Sequence, residues 1–482
     1  MLKKNVFFNL LLSVSQILFP LITFPYASRI LGPDGIGSVA FVDSITQVFL
    51  LFSALGIPIY GVREISKQKN TPENLSKLFS ELVTIHFFCT MLFVIFYFVS
   101  ALFIPKLHAH LPLVLVGICI LIFNIFSLEW FFQGIESFSY ITKRTLVVRC
   151  IFIFLLFSFV NKKGDLLAYY LLTAGTYLFN AIINFNFASR HVKFSFRNLN
   201  IRSHLKPLII IFCSNVVISI YLILDNSILG FLRGEIAVGY YSTAVKFAKI
   251  SLTVVTALGV VLIPQISSAF MNKDYVKINA LVNKAFNYVC TIGFPLSVGL
   301  IIMAKAIVIT IVGVNFSPAI LVLQIIAPIT IIIGLTNIFA WQILTPFGHD
   351  RRILIIVLCG MAVSLILNFL LIPHYSYLGT AFANVATELI VMLLSSYYVY
   401  KMKIINLSFS PLLNAVMGSL VFVLIAYVVR VTMHDSILRE GLIVVICVCF
   451  YSVYQIFVIR NEIAVSILNL GTKKYRNIVA RN

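Results

Sequence analysis

The sequence predicts an all-α integral membrane protein of about fourteen transmembrane helices, and three observations carry that prediction. Of its 482 residues, 61% are hydrophobic and only 11% charged, whereas a soluble domain carries roughly 25% charge. Apolar runs of about 18 to 24 residues recur from end to end, each long enough to cross the hydrocarbon core as a helix. Basic residues are rich in one interhelical segment and sparse in the next. The modest Gly and Pro content and the repeated apolar runs exclude collagen-like, disordered and disulfide-rich secreted classes.

Breaking the apolar windows at charged or Gly/Pro-rich stretches places the spans at 6–30, 38–61, 78–103, 111–134, 145–160, 165–188, 208–232, 238–263, 281–303, 318–344, 353–372, 379–400, 412–431 and 441–459. With the N-terminus inside, the cytoplasmic segments hold 25 of the 36 Lys and Arg residues and the opposite side holds 8. Both termini are therefore expected in the cytoplasm. The formal charge of +20 then describes topology, with anionic lipid as a second use, and nucleic acid is not an expected partner. The run after Met1-Leu2-Lys3-Lys4 has no small-residue cleavage site and reads as the first span rather than a signal peptide.

All eight cysteines fall inside apolar spans and read as small buried hydrophobes. The eight histidines are scattered, so no metal site is expected, and no cofactor. A nucleotide-binding Gly-rich loop and a nucleophile elbow are both lacking, which favours transport over catalysis.

An internal repeat organises the spans. Ile30-Leu31-Gly32 reappears as Ile228-Leu229-Gly230, Ile36-Gly37-Ser38 as Val238-Gly239-Tyr240, and Glu64-Ile65-Ser66 as Gln265-Ile266-Ser267. The offset is 198 before the outer turn and 201 to 202 after it, read as a loop insertion. Six spans separate the copies, so both halves keep one orientation. The expected division is an N-lobe at 1–190, a cytoplasmic linker at 191–207, a C-lobe at 208–400, and spans 13–14 with a basic tail at 401–482.

Polar residues at membrane depth supply the candidate site. On span 8, Ser242, Lys246, Lys249, Thr253 and Thr256 share one helix face. Two lysines that deep are costly against lipid, so they should face a wet cavity or a partner such as Asp225. Span 1 carries a matching stripe of Asn9, Ser13, Gln16, Pro20 and Thr23. Asp43, Glu129, Asp225 and Glu388 are the acidic residues at apparent membrane depth, Arg149 is a further charge inside a span, and Arg29 lies at a span end.

The run Phe24-Pro25-Tyr26-Ala27-Ser28-Arg29-Ile30-Leu31-Gly32-Pro33-Asp34-Gly35-Ile36-Gly37 resembles the opening signature of the polysaccharide transporter family, the Wzx-type O-antigen flippases. Gly61-Val62-Arg63-Glu64-Ile65-Ser66, Trp130-Phe131-Phe132-Gln133-Gly134-Ile135-Glu136, Asp225-Asn226-Ser227-Ile228-Leu229-Gly230 and Leu371-Ile372-Pro373 extend the likeness over nearly the whole chain. The resemblance implies two six-helix lobes around a central lumen, with two further helices. It implies a multi-pass protein of the bacterial inner membrane that moves undecaprenyl-diphosphate-linked oligosaccharide from the cytoplasmic to the periplasmic leaflet by alternating access, alongside a polysaccharide polymerase and a chain-length regulator. A sugar head needs a hydrated path, because unsatisfied hydroxyls cost several kcal/mol each in hydrocarbon.

On that reading Lys246 and Lys249, with Arg149 and Arg29, attract the diphosphate, and Gln16 and Asp43 line the lumen. By resemblance to the cation site of a related flippase, Asp225, Asn368 and Thr387 or Glu388 are candidates for coupling to proton or sodium. A multidrug antiporter of the same superfamily and a lipid II flippase are the alternatives. A membrane polymerase or acyltransferase is disfavoured by the short outer loops, at most about 15 residues.

Overall fold

A computed structural model of the chain describes residues 2–195 and 199–461. Residues 196–198 of the expected linker, the tail at 462–482 and the side chains of Asn9 and Ser13 lie outside the described residues. Among those described, every regular element is helical. In order they are α1 (Leu2–Ala54), α2 (Ile57–Gln68), α3 (Pro72–Phe103), α4 (Pro105–Ala109), α5 (Leu111–Asn124), α6 (Glu129–Gly134), α7 (Phe138–Phe159) and α8 (Leu166–Ala188). There follow α9 (Ile201–Arg233), α10 (Glu235–Met271), α11 (Tyr275–Ala306), α12 (Ala319–Ile326), α13 (Ile329–Thr336), α14 (Asp350–Lys401), α15 (Ser410–Thr432) and α16 (Ile437–Val453).

Two of these helices are too long for one crossing. α1 has 53 residues, which at 1.5 Å per residue is about 80 Å and more than twice the hydrocarbon thickness. It breaks at Gly32, where φ is 71° and ψ 179°. Pro33 then starts the next helix at a position whose N–H would have had no partner. α14, with 52 residues, breaks at Ser376 (φ 51°), three residues after Pro373. Among the described residues, ten helical stretches are long and apolar enough to cross a membrane, and two of them, those ending at Gln68 and Lys401, are split at these points.

The structure moves several boundaries. Predicted span 2 ends at Ala54, and Gly56 (φ 77°) turns the chain into the separate amphipathic helix α2. Predicted span 4 is two helices, α5 and α6, and predicted span 10 is α12 and α13, which meet at Ala327-Pro328, followed by a π-helical segment at Asn337–Leu344. Uniform hydropathy conceals such breaks because both sides of each are apolar. The cysteines also depart from expectation. Cys290 and Cys447 are buried, but Cys150, Cys213, Cys359 and Cys449 are exposed on helix faces. In a membrane, lipid is as apolar as a protein core, so an apolar span does not show which face turns inward.

The chain forms two compact units: Met1–Ser242 with Met361–Ala383, and Thr243–Gly360 with Asn384–Asn482. A buried cluster in the first unit includes Ile57, Tyr60, Ile65, Phe79, Trp130 and Phe131. There the 61–66 and 130–136 segments pack on each other through their glycines. A Cβ on Gly61 would lie 2.5 Å from the Trp130 ring, and one on Gly134 would lie 2.5 Å from Ile65 Cγ2. Ser66 Oγ donates to the Gly134 carbonyl at 3.2 Å. His204 at the start of α9 bridges this region, with Nδ1 2.7 Å from Tyr60 Oη and Nε2 2.9 Å from Glu81 Oε2.

Gly32 and Gly234 share one backbone conformation, φ 71° and ψ 179° against φ 85° and ψ 178°. The two breaks are thus equivalent at an offset of 202, which holds at Gly37 and Gly239 and becomes 201 by Glu64 and Gln265. The extra residues therefore lie in the last turn of α9, before Gly234, rather than in the loop. In the second unit, Phe422, Ala426 and Val429 of α15 pack with Ile443 and Cys447 of α16 and Met303 of α11.

Candidate functional site

In the first unit, Asp225 on α9 is 4% exposed. It accepts hydrogen bonds from Tyr241 Oη at 2.6 Å and Asn368 Nδ2 at 2.9 Å. Asn368 Nδ2 also reaches Ser364 Oγ at 3.2 Å, while Asn368 Oδ1 is buried and takes no hydrogen bond from the described residues. The kink at Ser376 leaves Asn368 on the first half of α14, facing α9. A carboxylate beside a buried, unsatisfied amide oxygen is an acceptor-rich arrangement that suits a small cation, since oxygen ligands favour hard ions.

Asp43, half-buried on α1, receives Tyr170 Oη at 3.3 Å. Tyr170 Oη also donates to Thr46 Oγ1 at 3.2 Å, and Thr46 Oγ1 lies 2.9 Å from Tyr97 Oη. Gly117 makes room for this chain, because a Cβ there would sit 2.5 Å from Thr46 Oγ1. Arg149 on α7 is half-buried, donates to Ser15 Oγ and lies over the Phe19 ring at 5.4 Å. Both partners lie outside the stripe of Asn9, Ser13, Gln16, Pro20 and Thr23, so Arg149 meets span 1 on another face, and Gln16 of that stripe is exposed. Thr23 of that stripe turns back to the Phe19 carbonyl at 2.9 Å. Arg29 is exposed. Glu129 pairs with Arg144 at 2.6 Å, and Arg144 also donates to Asn184.

In the second unit, Lys246 is half-buried and Lys249 exposed on α10. The threonines of their stripe bond within the helix, Thr253 to the Lys249 carbonyl at 2.9 Å and Thr256 to the Leu252 carbonyl at 3.0 Å. Thr387 and Glu388 are buried on the second half of α14. The structure thus joins Asp225 to Asn368 and Arg149 to span 1. It places Lys246, Lys249, Thr387 and Glu388 in the other unit.

Two features of the second unit were not anticipated. A cavity of about 530 Å³ lies among α11, α15 and α16, with Pro295, Leu296, Leu300, Phe422, Ile443 and Tyr451 on its walls. A second cavity of about 370 Å³ is lined by Lys305, Arg430, Asp435, Arg439 and Glu440. Arg430 and Arg439 both pair with Glu440 at 2.8 Å. Sequence reasoning also missed Tyr241 and Tyr170. A tyrosine hydroxyl in an apolar run gives no pattern of its own, and only a carboxylate at matching depth could have pointed to it.

The comparisons follow the same outline. A family model described as "Polysaccharide biosynthesis protein" matches residues 2–270. Two curated proteins carry the name "Putative O-antigen transporter". The one from Escherichia coli is 26% identical over 407 residues, 84% of this chain and 98% of that one. The one from Shigella dysenteriae is 23% identical over 398 residues, 81% and 98%. Among solved structures, the lipid II flippase MurJ in an inward closed conformation matches with a TM-score of 0.79 at 16% identity, covering 95% of this chain and 100% of that chain. An inward-facing multidrug resistance MATE family transporter of the MOP superfamily matches with a TM-score of 0.60 at 14% identity, covering 81% and 94%. The fold is therefore that of membrane transporters, and the chain belongs to the polysaccharide biosynthesis protein family.

Proposed function

We propose that this protein is a flippase that carries undecaprenyl-diphosphate-linked oligosaccharide from the cytoplasmic to the periplasmic leaflet of a bacterial inner membrane. The observation that carries the reading is the apolar cavity of about 530 Å³ built with the appended helices α15 and α16. An isoprenoid chain needs an apolar surface and its diphosphate sugar head needs a polar one. This chain carries both, the first at α11, α15 and α16 and the second at Arg149, Lys246 and Lys249. The near full-length likeness to proteins named as O-antigen transporters supports the same substrate class.

Electrostatics favour export. Moving one negative charge outward across about 100 mV, negative inside, releases roughly 2.3 kcal/mol. Asp225 with Asn368 is the proposed seat of a coupling cation, and Thr387 and Glu388 are further coupling candidates. The distribution of basic residues supports a cytoplasmic position for both termini.

The test is restoration of surface polysaccharide in a flippase-null strain. The wild-type chain should restore display, and Lys246→Ala/Lys249→Ala at equal membrane abundance should not. Full display from the double variant would remove the lysines from the diphosphate site. Drug resistance in place of display would favour the antiporter reading.

A further inference from the structure

The two Gly-rich turns of the internal repeat meet in the first unit, and they do so reciprocally. A Cβ built on Gly37 would lie 1.8 Å from the Glu235 carbonyl oxygen, and one built on Gly239 would lie 2.1 Å from the Pro33 carbonyl oxygen. At the offset of 202 that relates Gly32 to Gly234, Gly239 is the counterpart of Gly37 and Glu235 the counterpart of Pro33. Each copy thus presents its glycine to the same carbonyl of the other, as a local two-fold axis requires. A backbone carbonyl can come this close only because the residue facing it is glycine and carries no Cβ.

Polar and aromatic contacts surround the crossing. Lys106 Nζ donates to the carbonyls of Gly230 at 2.8 Å and Phe231 at 2.9 Å, in the extra last turn of α9. His110 Nε2 lies 3.0 Å from Glu235 Oε1. The Phe41 ring packs against Gly230, where a Cβ would come within 2.1 Å, and edge-on to Phe231 with centroids 5.1 Å apart. None of these residues belongs to the substrate or ion sets above, and the count of basic residues puts this end of the molecule at the outer face.

We propose that the Gly37–Gly239 crossing is the closing contact of an outer gate, and that Lys106 and the His110–Glu235 pair are the latch that holds it shut. The proposal goes beyond the flippase reading and takes from it only the need for an outer opening. Substrate released outward has to pass between α1 and the start of α10, so these contacts must part and reform in every cycle. Replacing either glycine by alanine puts a methyl group against a backbone oxygen and keeps the gate from closing.

Accessibility tests this without substrate. With the eight native cysteines replaced by alanine, Ser227→Cys serves as the reporter. Ser227 is buried on α9, two turns before Gly234, with its Oγ 2.8 Å from Ser44 Oγ. A membrane-impermeant maleimide added from outside should label it weakly, and several-fold more with Gly37→Ala or Gly239→Ala. Gly175→Ala, whose Cβ meets nothing within 4 Å, should leave labelling unchanged.

His110→Cys/Glu235→Cys gives a second readout that is independent of the glycine variants. A short bifunctional thiol reagent with a reducible link should stop polysaccharide display, and reduction should restore it. Labelling unmoved by both glycine variants at normal membrane abundance would overturn the gate, as would full display from a fully bridged pair. If labelling responds but the chain never restores display in the flippase-null strain, the gate stands and the substrate reading falls.

Discussion

At the level of single residues, the carboxylates were the legible part of the site and their partners were not. Asp225 stood out because an ionisable group inside an apolar run is rare and costly. Tyr241, which donates to it at 2.6 Å, sits 16 residues away on another helix, and no spacing rule connects the two. Asp225→Asn keeps the shape and removes the charge. Flipping driven by an imposed ion gradient should fall roughly tenfold or more, about 1.4 kcal/mol in the barrier, and it should no longer depend on the gradient. Gradient-dependent flipping at the wild-type rate in proteoliposomes would dismiss the coupling role. Tyr241→Phe removes one hydrogen bond to a charged group, about 1.5–3 kcal/mol, and should give the same defect in milder form at unchanged membrane abundance.

At the level of elements, hydropathy located the passes and glycine located their joints. The breaks at Gly32, Gly56 and Gly234 have positive φ, which explains why those residues are glycine, whereas the break at Ser376 left no such mark. The separation of α6 from α5 was equally hidden, because Ile125 and Leu128 at the break are as apolar as the helix before it. The α2–α6 contact makes a direct prediction. Gly61→Val and Gly134→Val each force a side chain into occupied space, and overpacking of this kind costs about 1–3 kcal/mol. Both variants should melt at lower temperature in detergent than the wild type, while Gly175→Ala should not. His204→Ala should also lower the melting temperature, since it takes from the buried Glu81 a partner at 2.9 Å, a loss of about 1–3 kcal/mol.

For the whole molecule, the sequence yielded the class of fold, because burying backbone in lipid permits few solutions. It did not yield the cavities. A cavity is set by how faces of distant helices meet, and the span containing Leu296 and Leu300 reads the same whether those leucines line a cleft or touch lipid. The excess of basic residues on one side predicts that reporter fusions after α8 and after α16 both register as cytoplasmic, and a periplasmic signal at either would reverse the orientation assigned here. The central claim is transport of a lipid-linked oligosaccharide, and its most direct measurement uses purified protein in proteoliposomes containing undecaprenyl-diphosphate oligosaccharide with a labelled sugar, on a pure inner-leaflet pool. An impermeant glycosidase added outside should reach the labelled sugar only when the protein is present, and more slowly in Lys246→Ala/Lys249→Ala. Sugar that stays protected in vesicles holding correctly folded protein under an imposed potential and ion gradient would contradict the account.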